Sequence, residues 1–429
     1  MLKAGFARLD MTPTLGTIIA GYFHKREMKG ILDPLSINAI ALTTGEEKLI
    51  IVTVDLMALG HVRNHALRKA IEEKTGVPAN CVILQAIHQH TAPCITEAVG
   101  LTYTNDGVYH DLFMQKVVDA AVLALDDAAD AALFVGECET AEPISFVRRY
   151  WMKSGIVETN PGFPRYQEID RPCDEPDNTV HLLRFKREKG DIALVNFACH
   201  PDVIGGEMVS ADWPGFVRRY VEADHPGVSC IFCNGFQGDS NHHYYQSGVA
   251  KRGIEHADHM GRVVADGVKS LWDKVVPMEV NSVGAKVETI YTRTRMDGVE
   301  DYEKCAAWYA DYEAGRLDYN PHITELAANR RVKMLRDAPI FRPVVVSAGH
   351  IGDVMLAGLG GEPFTYYIRA AKAVNPDKML LTFCIANGYG GYFPTAKAFE
   401  EGGYEATASP FTPALEGEII STIEKLMKA

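Results

Sequence analysis

The sequence predicts an α/β protein, a single large mixed-sheet domain with flanking helices spanning residues 1–429. Three observations carry this expectation. Short, continuous apolar runs rich in β-branched residues alternate with longer segments of helical period, the rhythm of strands buried on both faces under packed helices. Apolar residues make up 47% and charged residues 23% of the chain, the balance of a globular protein. No internal repeat, low-complexity tract or linker divides it, and a chain of this length buries about three quarters of its unfolded surface without disulfides.

The elements follow in order. Residues 48–54 are apolar and β-branched, a buried strand, and a helix follows over 61–74. Residues 81–87 form the next strand. Residues 111–132 read as a long helix, with Leu112, Phe113, Val117, Val118, Ala121 and Leu123 as its apolar positions. A strand at 191–197 precedes a helix at 214–223 that carries Pro214 in its first turn. A strand at 229–232, a helix at 257–274, a strand at 353–357 and a helix at 413–428 complete the rhythm. Two segments interrupt it. Residues 150–178, dense in Pro, Asp, Asn and Gly, read as a long irregular loop beside the functional site. Residues 297–337 carry two helical patterns and read as an excursion over one side of the sheet. Its rings, Tyr302, Trp308, Tyr309, Tyr312, Tyr319 and His322, either pack it down or wall a pocket.

Charge and composition exclude several functions. With 43 basic and 56 acidic residues the net charge is −13, unsuited to nonspecific binding of nucleic acid or anionic lipid. No apolar run reaches the ~18 residues of a membrane span, so membrane insertion is not expected. The first residues lack the apolar stretch of a secretory signal, which makes the cytoplasm the expected location. Nine irregularly spaced cysteines are not a disulfide framework. Cys230 and Cys233 flank Ile231 and Phe232, so this CxxC reads as buried strand rather than redox or zinc chemistry.

Five constellations carry chemistry. In Ile87-His88-Gln89-His90-Thr91 an apolar strand ends in His-x-His, whose alternate side chains share one face. In Phe197-Ala198-Cys199-His200-Pro201 a second strand ends in His, held extended by the following Pro. The turn Gly358-Leu359-Gly360-Gly361-Glu362-Pro363 places a carboxylate after a third strand. A loop, Asn387-Gly388-Tyr389-Gly390-Gly391-Tyr392, displays two tyrosines. Gly238-Asp239-Ser240-Asn241-His242-His243 follows the 229–232 strand and offers a nucleophile, an oxyanion donor or supporting hydrogen bonds. Each has a plain structural reading: paired imidazoles, a helix-start carboxylate, and surface polarity for His242-His243. Strand-end histidines of one design, at the edge where open α/β sheets bind ligands, favour a shared metal.

Together these segments resemble the neutral/alkaline non-lysosomal ceramidase family, in its catalytic domain, along nearly the whole chain. Further matching pieces are Gly5-Phe6-Ala7-Arg8-Leu9-Asp10-Met11-Thr12-Pro13, Thr53-Val54-Asp55-Leu56 and Tyr404-Glu405-Ala406. The resemblance implies a zinc-dependent hydrolase of linear amides. Its ligands map to His88, His200, Glu362 and Tyr392, with Tyr389 as the alternative tyrosine. It further implies His90 as the catalytic histidine, with Tyr404 and Arg148 or Arg149 positioning substrate. Asp55 and Asp239 are expected to accept the ligand imidazole N–H groups. The family's Gly-Asp-x-Ser-Pro-Asn reads here Gly238-Asp239-Ser240-Asn241-His242. Asn241 thus occupies the serine position, Ser240 falls one residue early, and attack by metal-activated water is favoured over a serine nucleophile. The family's C-terminal β-sandwich and secretion signal are not found. The expected substrate is therefore a small soluble amide or ester rather than membrane ceramide, and a homo-oligomer is compatible with this reading. An esterase or sugar-derivative hydrolase on the same site, and a non-catalytic binding protein, are the competing functions.

Overall fold

The computed structural model describes residues 1–95 and 107–428. Ten helices are present among them. They are α1 (His61–Thr75), α2 (Gly107–Asp126), α3 (Asp212–Asp224), α4 (Ile254–Leu271) and α5 (Tyr302–Glu313), followed by α6 (Ile323–Lys333), α7 (Tyr366–Lys372), α8 (Ala396–Glu401), α9 (Tyr404–Ala408) and α10 (Leu415–Lys428).

The α/β class with mixed sheets is as read from the sequence, and the strands are shared among three principal sheets. In the first, Glu47–Val54 lies between Ser36–Thr44, antiparallel, and Val82–Ala86, parallel. In the second, Ile192–Phe197 is antiparallel to Thr179–Lys186 and parallel to Ser229–Asn234. In the third, Val354–Leu359 is antiparallel to Phe341–Ile351 and parallel to Leu380–Phe383. Each sheet thus contains one parallel pair, and its crossover carries α1, α3 or α7 respectively. A parallel connection needs such a helix, which explains the alternation in the sequence. Ile51, Ile83, Leu194, Ile231, Leu356 and Leu381 from all three sheets share one apolar core.

The three parallel pairs are sewn together near their carboxyl ends by buried amides. Asn196 Nδ2 donates to the carbonyls of Cys233 (2.9 Å) and Thr382 (2.8 Å). Gln85 Nε2 donates to those of Asn234 (2.6 Å) and Cys384 (2.8 Å). Asn387 Oδ1 accepts from Leu84 N at 2.9 Å. These bonds satisfy backbone groups where the ladders stop.

Three expectations change. Helix α2 ends at Asp126 rather than 132, because Ala129–Asp130 and Ala132–Glu139 pair as strands; the ladder outweighs alanine's helix propensity. The segment 150–178 is not a structureless loop. Arg149–Met152 pairs with Val157–Thr159 and Ile169–Pro172, because Tyr150, Met152 and Ile169 bury together with Tyr245 as a small satellite core. His242 does not lie on the surface: it is 5% exposed and packs against His243 with tilted rings, centroids 3.8 Å apart. All nine cysteines are free thiols, and Cys230 and Cys233 lie buried in the strand Ser229–Asn234.

Candidate metal centre

The strand ends converge on one buried cluster. His88 and His90 follow Val82–Ala86, His200 follows Ile192–Phe197, Glu362 follows Val354–Leu359, and Tyr389 and Tyr392 follow Leu380–Phe383. This is the carboxyl edge at which α/β sheets place ligands. His88 adopts φ +85°, a strained value for a non-glycine residue, fixed by the bond from its N–H to Leu56 O at 2.8 Å. Gly238 allows the closest approach between loops. A Cβ there would lie 2.2 Å from Glu362 O, and the Gly238 N–H donates to Pro363 O at 2.7 Å.

The tautomers follow from the partners. His88 Nδ1 lies 2.7 Å from Met57 O, and His200 Nδ1 lies 2.9 Å from both Gln237 O and Ser240 O. Carbonyls only accept, so each Nδ1 carries the proton and each Nε2 presents a lone pair. Those two lone pairs face Glu362 Oε2 at 3.2 and 3.1 Å. His90 Nε2 lies 3.3 Å from His88 Nε2, and one ring nitrogen each of His88, His90 and His200 lie within 4.8 Å of one another. Acceptors aimed at one another repel unless a cation lies between them. Ligand atoms around a tetrahedral ion at ~2.0–2.1 Å sit about 3.3 Å apart, so the donor set fits a small divalent cation in kind and spacing.

The electrostatics fit as well. Burial raises the Glu362 carboxyl, but His88 and His200 outweigh it and hold the group well below the usual carboxylate range. Burial, helped by the Arg148 guanidinium, pushes His200 down to about 3, which keeps the imidazole neutral. Burial and neighbouring His88 push His90 down in the same way. Burial, then the charge of Glu362, raises both Tyr389 and Tyr392 well above their ordinary value and Tyr404 to about 12.

The remaining residues fall into distinct places. Tyr389 OH donates to Glu362 Oε1 at 2.8 Å, whereas Tyr392 OH accepts from Arg148 Nη2 at 3.0 Å. Arg148 also donates to Glu405 Oε1 (2.7 Å) and Gly238 O (2.9 Å), and its Nη1 comes within 3.5 Å of His200 Nε2. Arg149 points away, clamping Glu401 and Gly402 O at the end of α8. Asp55 and Asp239 do not reach the imidazoles. Asp55 takes a two-pronged bond from Arg218 (3.0 and 2.7 Å) and one from Gln89, because an unpaired buried guanidinium is the stronger claim on a carboxylate. Asp239 accepts from Thr365 N at 2.7 Å and so braces the Glu362 turn. The Ser240 hydroxyl turns to Gln237 O (3.3 Å), and Asn241 bonds Asn160 and His243 N.

Sequence reasoning missed the surroundings of His90. Asp202 Oδ1 lies 3.5 Å from His90 Nδ1 and accepts from Tyr22 OH at 2.7 Å, while Arg26 donates to His90 O at 2.6 Å. Gly21, at φ +117°, leaves room: a Cβ there would lie 2.8 Å from the His90 backbone. The available signal was Asp202 directly after His200-Pro201. A cavity of about 380 Å³ opens over the cluster. Tyr22, Phe23, His61, Tyr404, Pro410 and Phe411 line it, and residues of α6 and the turn after it form one wall. The rings of the 297–337 excursion do not line it. Trp308 and Tyr312 stack within the excursion, 6.2 Å between centroids.

Fold and donor set define a class: an α/β protein with a buried histidine–glutamate cluster suited to a divalent cation at the ends of its parallel strands. Solved structures narrow it. The chain is similar to the neutral ceramidase from Pseudomonas aeruginosa, with a TM-score of 0.73 and 16% identity over 99% of this chain and 74% of that one. It is likewise similar to a structure described as ceramidase complexed with C2, with a TM-score of 0.72 and 15% identity over the same shares. The chain therefore has the neutral ceramidase fold, the one its motifs resemble. No family model matches the sequence, and no curated protein matches it.

Proposed function

We propose that this chain is a zinc-dependent amidohydrolase that cleaves the linear amide bond of a small, water-soluble N-acyl compound. The observation that carries the reading is the convergence of the His88 and His200 Nε2 lone pairs on Glu362 Oε2 beneath a cavity. His88, His200, Glu362 and Tyr392 would hold the ion, and Tyr389 orients the carboxylate by donating to Glu362 Oε1. When bound, a zinc ion would supply an activated water near neutral pH and polarise the substrate carbonyl. Arg148, fixed by Glu405, keeps Tyr392 and His200 in place. His90 takes a proton at Nε2 and returns it to the leaving nitrogen, and Asp202 beside Nδ1 steadies the charged ring between the two transfers. Tyr404, whose ring packs 5.4 Å from that of Tyr392, donates to the substrate.

No helix among the described residues is long and apolar enough to cross a membrane. The free thiols suit a reducing compartment, the cytoplasm. A cavity toward the small end of the ~300–1,000 Å³ range of ligand sites supports a substrate smaller than ceramide.

Metal analysis of protein purified without chelator, with kcat/KM on N-acyl compounds of about 2 to about 16 carbons, tests the reading. Near one equivalent of zinc and a maximum at short chains are expected. A metal-free protein, or no cleavage of any amide, overturns it. A steady rise with length overturns the small-substrate part, since each buried methylene is worth ~0.8 kcal/mol only along an apolar channel.

A further inference from the structure

We infer that the cavity selects amides bearing a carboxylate on the part remote from the scissile bond, and that Arg342 binds that carboxylate. The inference rests on the cavity being the amide site. The chain carries a net charge of −13, yet Arg330, Arg331 and Arg342 all line this cavity, and Glu362 of the metal cluster is the acidic residue lining it. An acidic protein that gathers guanidinium groups in one concave site focuses a positive potential there, and a bound divalent cation would add to it.

The three arginines differ in what occupies them. Arg331 is engaged by Asp297, through its carbonyl at 3.1 Å and Oδ2 at 2.9 Å. Arg330 rests its guanidinium 5.5 Å from the centre of the Phe23 ring. The Arg342 side chain, at the start of the strand Phe341–Ile351, has no hydrogen-bond or ion-pair partner among the described residues, and its Nε is buried without one. Burial alone shifts its pKa, downward, with no opposing charge nearby. A half-buried guanidinium without a counter-ion is a cost to folding. No counter-charge among the described residues offsets it; an anionic ligand would. The planar fork matches a carboxylate with two parallel bonds, which makes it more selective than a point charge. Met334, Leu335, Pro339 and Pro343 line the same cavity, so the bond would form against apolar surface, where it is strengthened.

The experiment compares two probes of equal length, the mono-N-propylamide of octanedioic acid, whose carboxylate lies at the far end of the acyl chain, and N-propylnonanamide. Binding is read by calorimetry, and cleavage is read separately, for the zinc-loaded wild type and for Arg342→Gln and Arg342→Lys. The wild type should bind the carboxylate probe at least about tenfold tighter, the ratio should fall to about one in Arg342→Gln, and Arg342→Lys should restore part of it. Equal binding of the two probes by the wild type overturns the inference. So does a preference that survives in Arg342→Gln, since the carboxylate would then be on the metal. Charge-selective binding without cleavage of either probe would sink the hydrolase reading and leave the carboxylate site standing. Cleavage without charge selectivity would do the reverse.

Discussion

His88 and His90 stand two residues apart and face different demands. His88 Nδ1 is tied to Met57 O, leaving the Nε2 lone pair facing Glu362, whereas His90 has Asp202 beside Nδ1 and both rings meet edge to face. His88→Ala should therefore lose zinc, measured by elemental analysis, together with activity. His90→Gln should keep zinc and lose ~10²–10⁴ in kcat, the usual worth of a general acid–base group. If His90→Gln strips the metal too, the ligand set is the three histidines rather than two and Glu362. Ser240 makes a second residue-level test. Its carbonyl receives the His200 N–H while its hydroxyl turns to Gln237 O. Ser240→Ala should stay within about tenfold of wild-type kcat, whereas loss of a nucleophile costs about 10⁶. The positions of His88, His200 and Glu362 were legible because each follows an apolar run or a glycine turn. Their hydrogen-bond partners were not. The acceptors for His88 and His200 are backbone carbonyls, which leave no mark in a sequence, and the carboxylates of Asp55 and Asp239 were already committed to Arg218 and Thr365.

At the scale of elements, the parallel pairs were readable from their β-branched runs and intervening helices, since both follow from periodicity. The bonds joining the sheets were not. Asn196 sits next to last in an apolar strand, where local pattern marks it only as an oddity. In the fold it holds Cys233 and Thr382, and its Oδ1 accepts from Thr382 N at 3.2 Å. Asn196→Ala would leave these buried groups unpaired at a cost of about 1–3 kcal/mol each at most. Urea unfolding should show a loss of about 2–4 kcal/mol with an unchanged m-value; a loss below about 0.5 kcal/mol would mean that water replaces the amide. The hairpin within 150–178 escaped notice for a related reason. Its apolar positions, Tyr150, Met152 and Ile169, are too sparse to show a period and gain meaning only when Tyr245 arrives from elsewhere in the chain.

For the molecule as a whole, burial of neutral histidines couples stability to pH. His61, beside the Gly388 turn, is pushed down to about 4 by burial alone, and its Nδ1 has no partner. The folded state refuses a proton that the unfolded chain accepts from about pH 6.5 downward. Its contribution is therefore fully present above about 6.5 and is lost as pH falls toward 4. His61→Gln should gain about 1–2 kcal/mol relative to wild type between pH 7 and pH 4.5, read from urea midpoints of both proteins. The same offset at both pH values would show that His61 titrates normally. The metal cluster has a kinetic consequence too. Arg148 is fixed by Glu405 across 257 residues of sequence, and Glu362 meets His200 across 162. Contacts of such separation form slowly, after local strands and helices, because the loops they close are long. During synthesis His88 and His200 emerge well before Glu362, so a nascent chain does not hold the complete cluster, which assembles only once the three sheets have docked.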